Sequence, residues 1–429
     1  MSGLAIITLF VSLMMLGVPI AVSMLVPSGI YMLVNQIPIS TVIQRMVSSL
    51  NSFTLLAVPM FILAANLMNN SGITTRLFNF SRLLVGRMRG GLAQVNVFGS
   101  LVFAGISGAA LADIGGIGNI ELDAMRDQGY SMEDSAAITA ASATIGPIFP
   151  PSIPLIIYAA AAETSSMRLL MAGVVPGILI TIVLMIQVAV YARRYNWPRG
   201  VEGKWKKGEV ARIVRMGLPS MLMPVILMGG MLSGWFSPTE VAAVAIAYAI
   251  FLSLCYKSFS IKAFVKVAKE TLASTASVLF IVASAAIFAW TLTVEQLPQQ
   301  ISAALLGVSS NPVILLLFTN VILLIAGMFL ETTAAIMIFT PILLPTLVAA
   351  GVNPVHFGLV MVFNLMIGML TPPVGMSIYM LSPISGIPVN KLFKAVMPYL
   401  IPLFVALIVL TYFPAVSLWL PNLLYGIQG

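Results

Sequence analysis

The chain is 429 residues long, 60% hydrophobic and only 8% charged, with a mean hydropathy of +1.06. A soluble domain carries about 25% charged residues and could not cover its surface with so few, so a soluble globule is excluded. The formal charge of +8 comes from basic residues in short clusters between apolar runs, which points to loops at an anionic membrane leaflet rather than to a nucleic-acid surface.

A bilayer crossing needs about 20 apolar residues. The first run, 4–34, has no Lys or Arg ahead of it, lacks the basic start of a cleavable signal, and reads as one retained span. Span 53–70 follows. The stretch 92–118 is interrupted near its middle by small and polar residues and reads as a re-entrant hairpin. Spans 135–162, 169–192, 218–234, 238–256 and 271–293 come next, then a second interrupted stretch, 312–345, and finally spans 355–381 and 396–424. The 33 Gly and 26 Pro are many for plain spanning rods. They point to broken helices, which are tolerated at membrane depth only against protein or a wet cavity.

This topology places Arg76, Arg82, Arg87, Arg89, Arg126, the Arg193–Arg215 run (with Lys204 and Lys206), Lys257, Lys262, Lys266, Lys269, Lys391 and Lys394 on one face. Only Arg45 and Arg168 fall on the other. Because Lys and Arg stay cytoplasmic, the N-terminus is expected inside and the C-terminus outside. Reading either hairpin as a full crossing would scatter the basic residues over both faces.

The chain repeats itself at an offset of 222: Gly105 matches Gly327, Gly129 matches Gly351, Gly146 matches Gly368, Pro150-Pro151 matches Pro372-Pro373, and Pro176 matches Pro398. Helix starts coincide too, with Ser131-Met-Glu-Asp134 opposite Asn353-Pro354. Span 53–70 and its counterpart 271–293 cross in opposite senses, so the halves are inverted copies. Inverted repeats with interrupted helices are the pattern of secondary transporters, which place the site at the midplane. The expected fold class is an all-α polytopic membrane protein of two inverted repeats, each with a re-entrant hairpin and a broken transmembrane helix.

Each half carries two breaks, one at the hairpin tip (Gly105 to Ala110; Gly327 to Thr333) and one at Gly-x-x-x-Pro-Pro (146–151; 368–373). A proline inside a helix removes a donor and costs about 3 kcal/mol or more. The freed carbonyls need a partner that hydrocarbon does not offer, and a cation satisfies several at once. The restarting helices present partial positive ends, suited to an anion. A cation-coupled anion carrier is what four such breaks would build. The carbonyls and side chains at Gly105, Ser107, Asp113, Gly146, Pro150, Gly327, Thr332, Gly368 and Pro372 are the expected cation set. Ser107, Gly108, Thr332, Thr333 and Thr371 are the expected solute contacts.

Several runs resemble the large membrane subunit of TRAP transporters: Gly105-Ile-Ser-Gly-Ala-Ala-Leu-Ala-Asp113, Gly129-Tyr130, Gly146-Pro-Ile-Phe-Pro-Pro-Ser152, Phe329-Leu-Glu-Thr-Thr333, Phe339-Thr-Pro-Ile-Leu-Leu-Pro345 and Thr371-Pro-Pro-Val-Gly375. The resemblance covers nearly the whole chain, in order. It implies an inner-membrane protein importing an organic acid, such as a sugar acid or a dicarboxylate, delivered by a periplasmic binding protein. It also implies a small four-helix membrane subunit, expected as a separate polypeptide, and Na+ as coupling ion with no other cofactor. An elevator mechanism is implied, with 91–165 and 312–385 as the two moving halves. Segments 1–90, 166–311 and 386–429 are then scaffold. Members commonly have serine after Gly108, where this chain has Ala109, leaving backbone ligands at that place.

Asp113 is open between an ion ligand and a hydrogen bond at the hairpin base. Glu331 reads as a cap on the Thr332–Thr333 helix start, and Ser237-Pro-Thr-Glu240 as a capping box. His356 is expected exposed on the outer side, and Glu121, Asp123, Asp127 and Tyr130 read as a polar cytoplasmic loop. One cysteine, Cys255, and the single histidine exclude a disulfide, a Cys/His metal cluster and a His-based triad. Asp113 lacks a second aspartate at its depth, so the chain is not expected to be an enzyme. The alternative kept is a self-sufficient carboxylate symporter of the same fold.

Overall fold

The computed structural model describes residues 2–200 and 207–426, so Lys204 and Lys206 lie outside the described residues. The described chain is helical, with one isolated bridge between Arg89 and Arg199. The first half runs through α1 (Gly3–Met15), α2 (Ile20–Val34), α3 (Ile39–Leu50), α4 (Ala57–Asn70), α5 (Ile73–Val85), α6 (Gly91–Ser107), α7 (Ala110–Gly115), α8 (Ile117–Asp127), α9 (Met132–Ser142), α10 (Ile153–Ala161), α11 (Ser166–Ala172) and α12 (Val174–Arg194). The second half runs through α13 (Lys207–Leu232), α14 (Pro238–Cys255), α15 (Ile261–Val294), α16 (Leu297–Val308), α17 (Pro312–Phe329), α18 (Thr332–Ala349), α19 (Pro354–Gly368), α20 (Met376–Ser385), α21 (Val389–Tyr412) and α22 (Ala415–Tyr425). Among the described residues, seven helical stretches are long and apolar enough to cross a membrane, or eight with the bent α3–α4 pair.

The repeat seen in the sequence is a repeat of elements. α3 and α15 start 222 residues apart, as do α7 and α18, and α9 and α19; α6 and α17 end at the same offset. Packing between halves is reciprocal: α10 lies on α18 and α20 on α7, while α9 lies on α21 and α19 on α11. Such exchange is what a two-fold relation requires, and with the charge partition it makes the halves inverted copies.

The halves differ where local sequence differs. α3 and α4 meet at a 68° bend, whereas α15 runs unbroken for 34 residues. Asn51-Ser52 at the bend compete with the helix for backbone hydrogen bonds, and their counterparts are Ala273-Ser274. α3 buries no residue; Ile39, Ile43 and Val47 are exposed along one side, and Arg45 sits over the Trp290 ring at 5.5 Å. This is the composition of a helix lying at a membrane interface.

Run 4–34 is not one span. The chain turns at Gly17, in the left-handed region at φ +81°, and Pro19 starts a second helix that packs on the first. Gly3 abuts Glu295 and Leu297, and the Tyr31 hydroxyl donates to Glu295 Oε1 at 2.8 Å, so the start of α1 and the end of α2 share one level. The chain therefore returns to the side where it begins, and the expected N-terminus moves to the face carrying Arg45. The expected span 396–424 is α21 followed by the separate α22. Arg168, almost fully buried, donates to the carbonyls of Tyr425 and Gly426 at 2.7 Å, which sets the far end of α22 on that same face. Arg212 and Arg215 belong to α13 rather than to a loop.

His356 is buried, not exposed. Its ring nitrogens meet Ser417 Oγ at 2.8 Å and the Thr411 carbonyl at 3.1 Å, because α22 folds back over the start of α19. Glu121, Asp123 and Asp127 lie on α8 rather than in a loop, and Glu121 and Tyr130 are buried. The expected boundaries at 166 and 386 do not divide the packing. The main partners of α12 and α21 are each other and the hairpin and broken-helix elements α6, α9 and α19, not α1–α4 or α13–α16.

Candidate functional site

All four breaks are present. Hairpin 1 turns at Gly108-Ala109, and Gly108 adopts φ +61° with the Pro151 carbonyl where a side chain would sit, so only glycine fits. Hairpin 2 turns at Leu330-Glu331. The third and fourth breaks separate α9 from α10 and α19 from α20, and both carry a cis Pro-Pro bond, Pro150-Pro151 and Pro372-Pro373. Each hairpin tip is tied to the break of its own half. Ile153 N–H donates to the Gly108 carbonyl at 3.1 Å, and Gly375 N–H to the Met328 carbonyl at 3.3 Å.

The tips and breaks converge on a cavity of about 720 Å³. Ser107, Ala109, Ala110, Pro147 and Ile153 line it from the first half, and Glu331, Thr332, Thr333, Met366 and Met369 from the second. The opposite wall is built by α4 and α15, with Asn66, Asn69, Asn70, Glu270 and Ser274. Among the described residues, no Lys, Arg or His lines it. Amides, hydroxyls and two carboxyl groups supply its polar chemistry.

The expected solute contacts divide. Ser107, Thr332 and Thr333 line the cavity, whereas Gly108 is the turn behind it. Thr371 does not line it; its hydroxyl donates to the Ile367 carbonyl at 2.8 Å, the ordinary back-bond of a helical threonine. Glu331 caps α18: Oε2 accepts from the Thr333 and Ala334 amides at 2.8 and 3.3 Å, and Oε1 from the Thr333 hydroxyl at 3.0 Å. The amide ends of hairpin 2 are thus met by a carboxylate of its own chain, and the Thr332 hydroxyl points to Met369 Sδ at 3.1 Å.

The expected cation residues also divide. Asp113 is fully buried, with one oxygen accepting from Ser107 and the other without a protein partner. That free oxygen faces the Cα of Gly146, where a Cβ would overlap it. Ser107, Asp113 and Gly146 therefore form one buried locus that leaves a single acceptor oxygen unmet. Of the two alternatives for Asp113, the hydrogen bond at the hairpin base is present, made with Ser107. Gly327 and Gly368 pack backbone to backbone, where a Cβ at Gly368 would lie 2.7 Å from Gly327. Gly105 faces Pro224 of α13 instead, at 2.9 Å for a built Cβ, so it is a packing contact. Pro150 is buried in its break and Pro372 half-buried in its own. Among the described residues, no group of three or more His, Cys, Asp or Glu is placed to hold a metal.

Asn66, Asn69 and Asn70 went unremarked in the sequence. Their i, i+3, i+4 spacing puts them on one face of α4, a polar stripe in an otherwise apolar span, and that was the available signal. They are anchored within the protein. Asn66 donates to Thr271 Oγ1 at 3.0 Å, and Asn69 accepts from Thr74 at 2.7 Å.

An all-helical membrane protein whose two inverted halves meet at a polar cavity built from broken helices belongs to the class of transporter subunits. The chain matches the family described as the tripartite ATP-independent periplasmic transporter, DctM component, over residues 7–416, and belongs to that family. It is 41% identical to a sialic acid TRAP transporter large permease protein of Vibrio cholerae, over 97% of this chain and 98% of that one. It is 40% identical to a C4-dicarboxylate TRAP transporter large permease protein of Pseudomonas aeruginosa, over 86% of each. Its fold is shared by the YdaH transporter of Alcanivorax borkumensis, described as having an unusual topology, with a TM-score of 0.64 at 17% identity over 89% of this chain and 90% of that one. These relatives are transport proteins, not enzymes.

Proposed function

We propose that this large permease subunit imports a hydroxyl-rich organic acid, of the sugar-acid type, driven by an inward sodium gradient. The observation that carries the reading is the convergence of four ruptured helices on one cavity beside a buried carboxylate with an unmet oxygen. Sodium sits at the Ser107, Asp113 and Gly146 locus, where its charge also offsets the absence of any basic residue around an anionic solute. The amides of Asn66, Asn69 and Asn70 and the hydroxyls of Ser107, Thr332, Thr333 and Ser274 favour a solute with many hydroxyls over a compact dicarboxylate. The sialic acid relative from Vibrio cholerae supports the same choice.

Solute arrives from a periplasmic binding protein, and a separate small membrane subunit braces the permease in the bacterial inner membrane. The face carrying Arg45 and Arg168, with both ends of the described chain, is periplasmic; the basic loops are cytoplasmic. Movement is of the elevator kind. The moving block is α6–α12 and α17–α22, larger than the two hairpin segments alone, against α1–α5 and α13–α16, and it slides chiefly along the α5–α6 and α15–α18 contacts.

Uptake by proteoliposomes holding both membrane subunits tests this. Sugar-acid accumulation should require an inward sodium gradient and the loaded binding protein. Accumulation without the binding protein would instead favour a self-sufficient symporter, and accumulation without sodium would remove the ion role.

A further inference from the structure

We propose that Glu121 is a proton-binding site in the outgoing arm of hairpin 1, separate from the cation locus at Asp113. The proposal rests on the carrier reading above. Glu121 lies on α8 with no exposed surface, and neither carboxyl oxygen has a hydrogen-bond partner in the protein. It faces α6 at Gly99, where a built Cβ would lie 3.4 Å from Oε1. The carboxyl thus lies in van der Waals range of the α6 backbone at Gly99. A buried carboxylate with neither partner nor counter-charge is far too unfavourable to persist, so the group must carry its own proton.

Among the described residues, the elements packed against α8 offer it no counter-charge. α8 packs against α5, α6, α7 and α9. Of these, α6 has no ionisable residue, and α9 offers only Glu133 and Asp134 at its first turn. On α5, Arg82 is committed to the Gly200 carbonyl, and Arg76 to the Gly72 carbonyl and the face of Tyr256. On α8 itself, Asp123 and Arg126 pair with each other in solvent, and Asp127 ends the helix. On α7 the one ionisable residue is Asp113, an acid like Glu121.

The second half does without the acid: Leu343 stands at the position of Glu121, Ala335 at that of Asp113 and Val321 at that of Gly99, in an arm that runs as one helix where the first half breaks at Gly116. An acid present in one copy only, buried and without a partner, is a functional group, as ionisable residues at membrane depth usually are.

The test uses the permease with its small membrane subunit, as wild type, Glu121→Gln and Glu121→Asp. Infrared difference spectra across a pH titration should show a protonated carboxyl stretch in the wild type, lost in E121Q and shifted in E121D. In proteoliposomes, wild-type initial uptake at saturating sodium should change roughly threefold or more across the titration, and E121Q by less than about twofold. An unchanged carboxyl band in E121Q, or matching pH profiles for wild type and E121Q, overturns the proposal. If E121Q does not fold, an unshifted band in E121D overturns it equally. Wild-type protein that shows the band but no sodium-driven uptake would sink the carrier reading and leave the proton site standing.

Discussion

Ser107 and Thr371 are both hydroxyl residues beside a helix break, yet only one turns its oxygen to the shared site. Ser107 donates to Asp113 and lines the cavity, while Thr371, just past the end of α19, spends its hydroxyl on the Ile367 carbonyl four residues back. Ser107→Ala should therefore lower uptake at limiting sodium by roughly tenfold, as expected when a hydrogen bond to a charged group worth about 1.5 kcal/mol is lost. Thr371→Val should leave uptake within about twofold, since a back-bonded threonine contributes little. Sodium-activation curves of the two variants check both. That both sit at breaks was readable from spacing; which way each side chain turns was not, because the rotamer answers to neighbours outside the local segment. Glu331 was readable because a cap is a local matter: its partners, Thr333 and Ala334, are the next residues in the chain.

Among the elements, the two Gly-x-x-x-Pro-Pro breaks are alike in sequence and different in surroundings. In the first, Gly146 leaves room for the Asp113 carboxyl; in the second, Gly368 leaves room for the backbone of Gly327. Gly146→Ala should push Asp113 off Ser107 and remove the sodium dependence of uptake while folded protein is still recovered. Gly368→Ala should instead separate hairpin 2 from α19 and destabilise the subunit by about 1–3 kcal/mol, as overpacking does. Thermal unfolding in detergent, run beside uptake, separates the two outcomes. The hairpins and breaks themselves were legible, since proline and glycine act on the backbone where they stand. The α1–α2 turn was not. Gly17 and Pro19 give the same local signal as the glycine and proline residues elsewhere, and apolar composition runs straight through them.

For the whole molecule, the cavity lies between two groups of helices, with α4 and α15 on one wall and the hairpin tips on the other. If the block of hairpins and broken helices moves as a unit, cysteines at Ile62 on α4 and Leu111 on α7, both lining the cavity, should crosslink in this conformation. They should fail to do so in the opposite one. With the exposed Cys255 first replaced by serine, crosslinking yield with and without a sodium gradient reads this directly. An equal yield under both conditions would mean that the two walls do not move past each other.

The amino-acid sequence alone determined the membrane class, the two copies at one offset, the caps and the four ruptures. Each of these follows from composition or from backbone chemistry confined to a few neighbouring residues. Only the tertiary structure decided which polar groups share the cavity, that three asparagines of α4 face the hairpin tips, that the chain begins on the Arg45 face, and that Glu121 is sealed against Gly99. Those depend on which helices lie side by side: Gly99 and Glu121, 22 positions apart, or Asn69 and Met369, 300 apart, come together only when apolar surfaces elsewhere in the chain have chosen their partners.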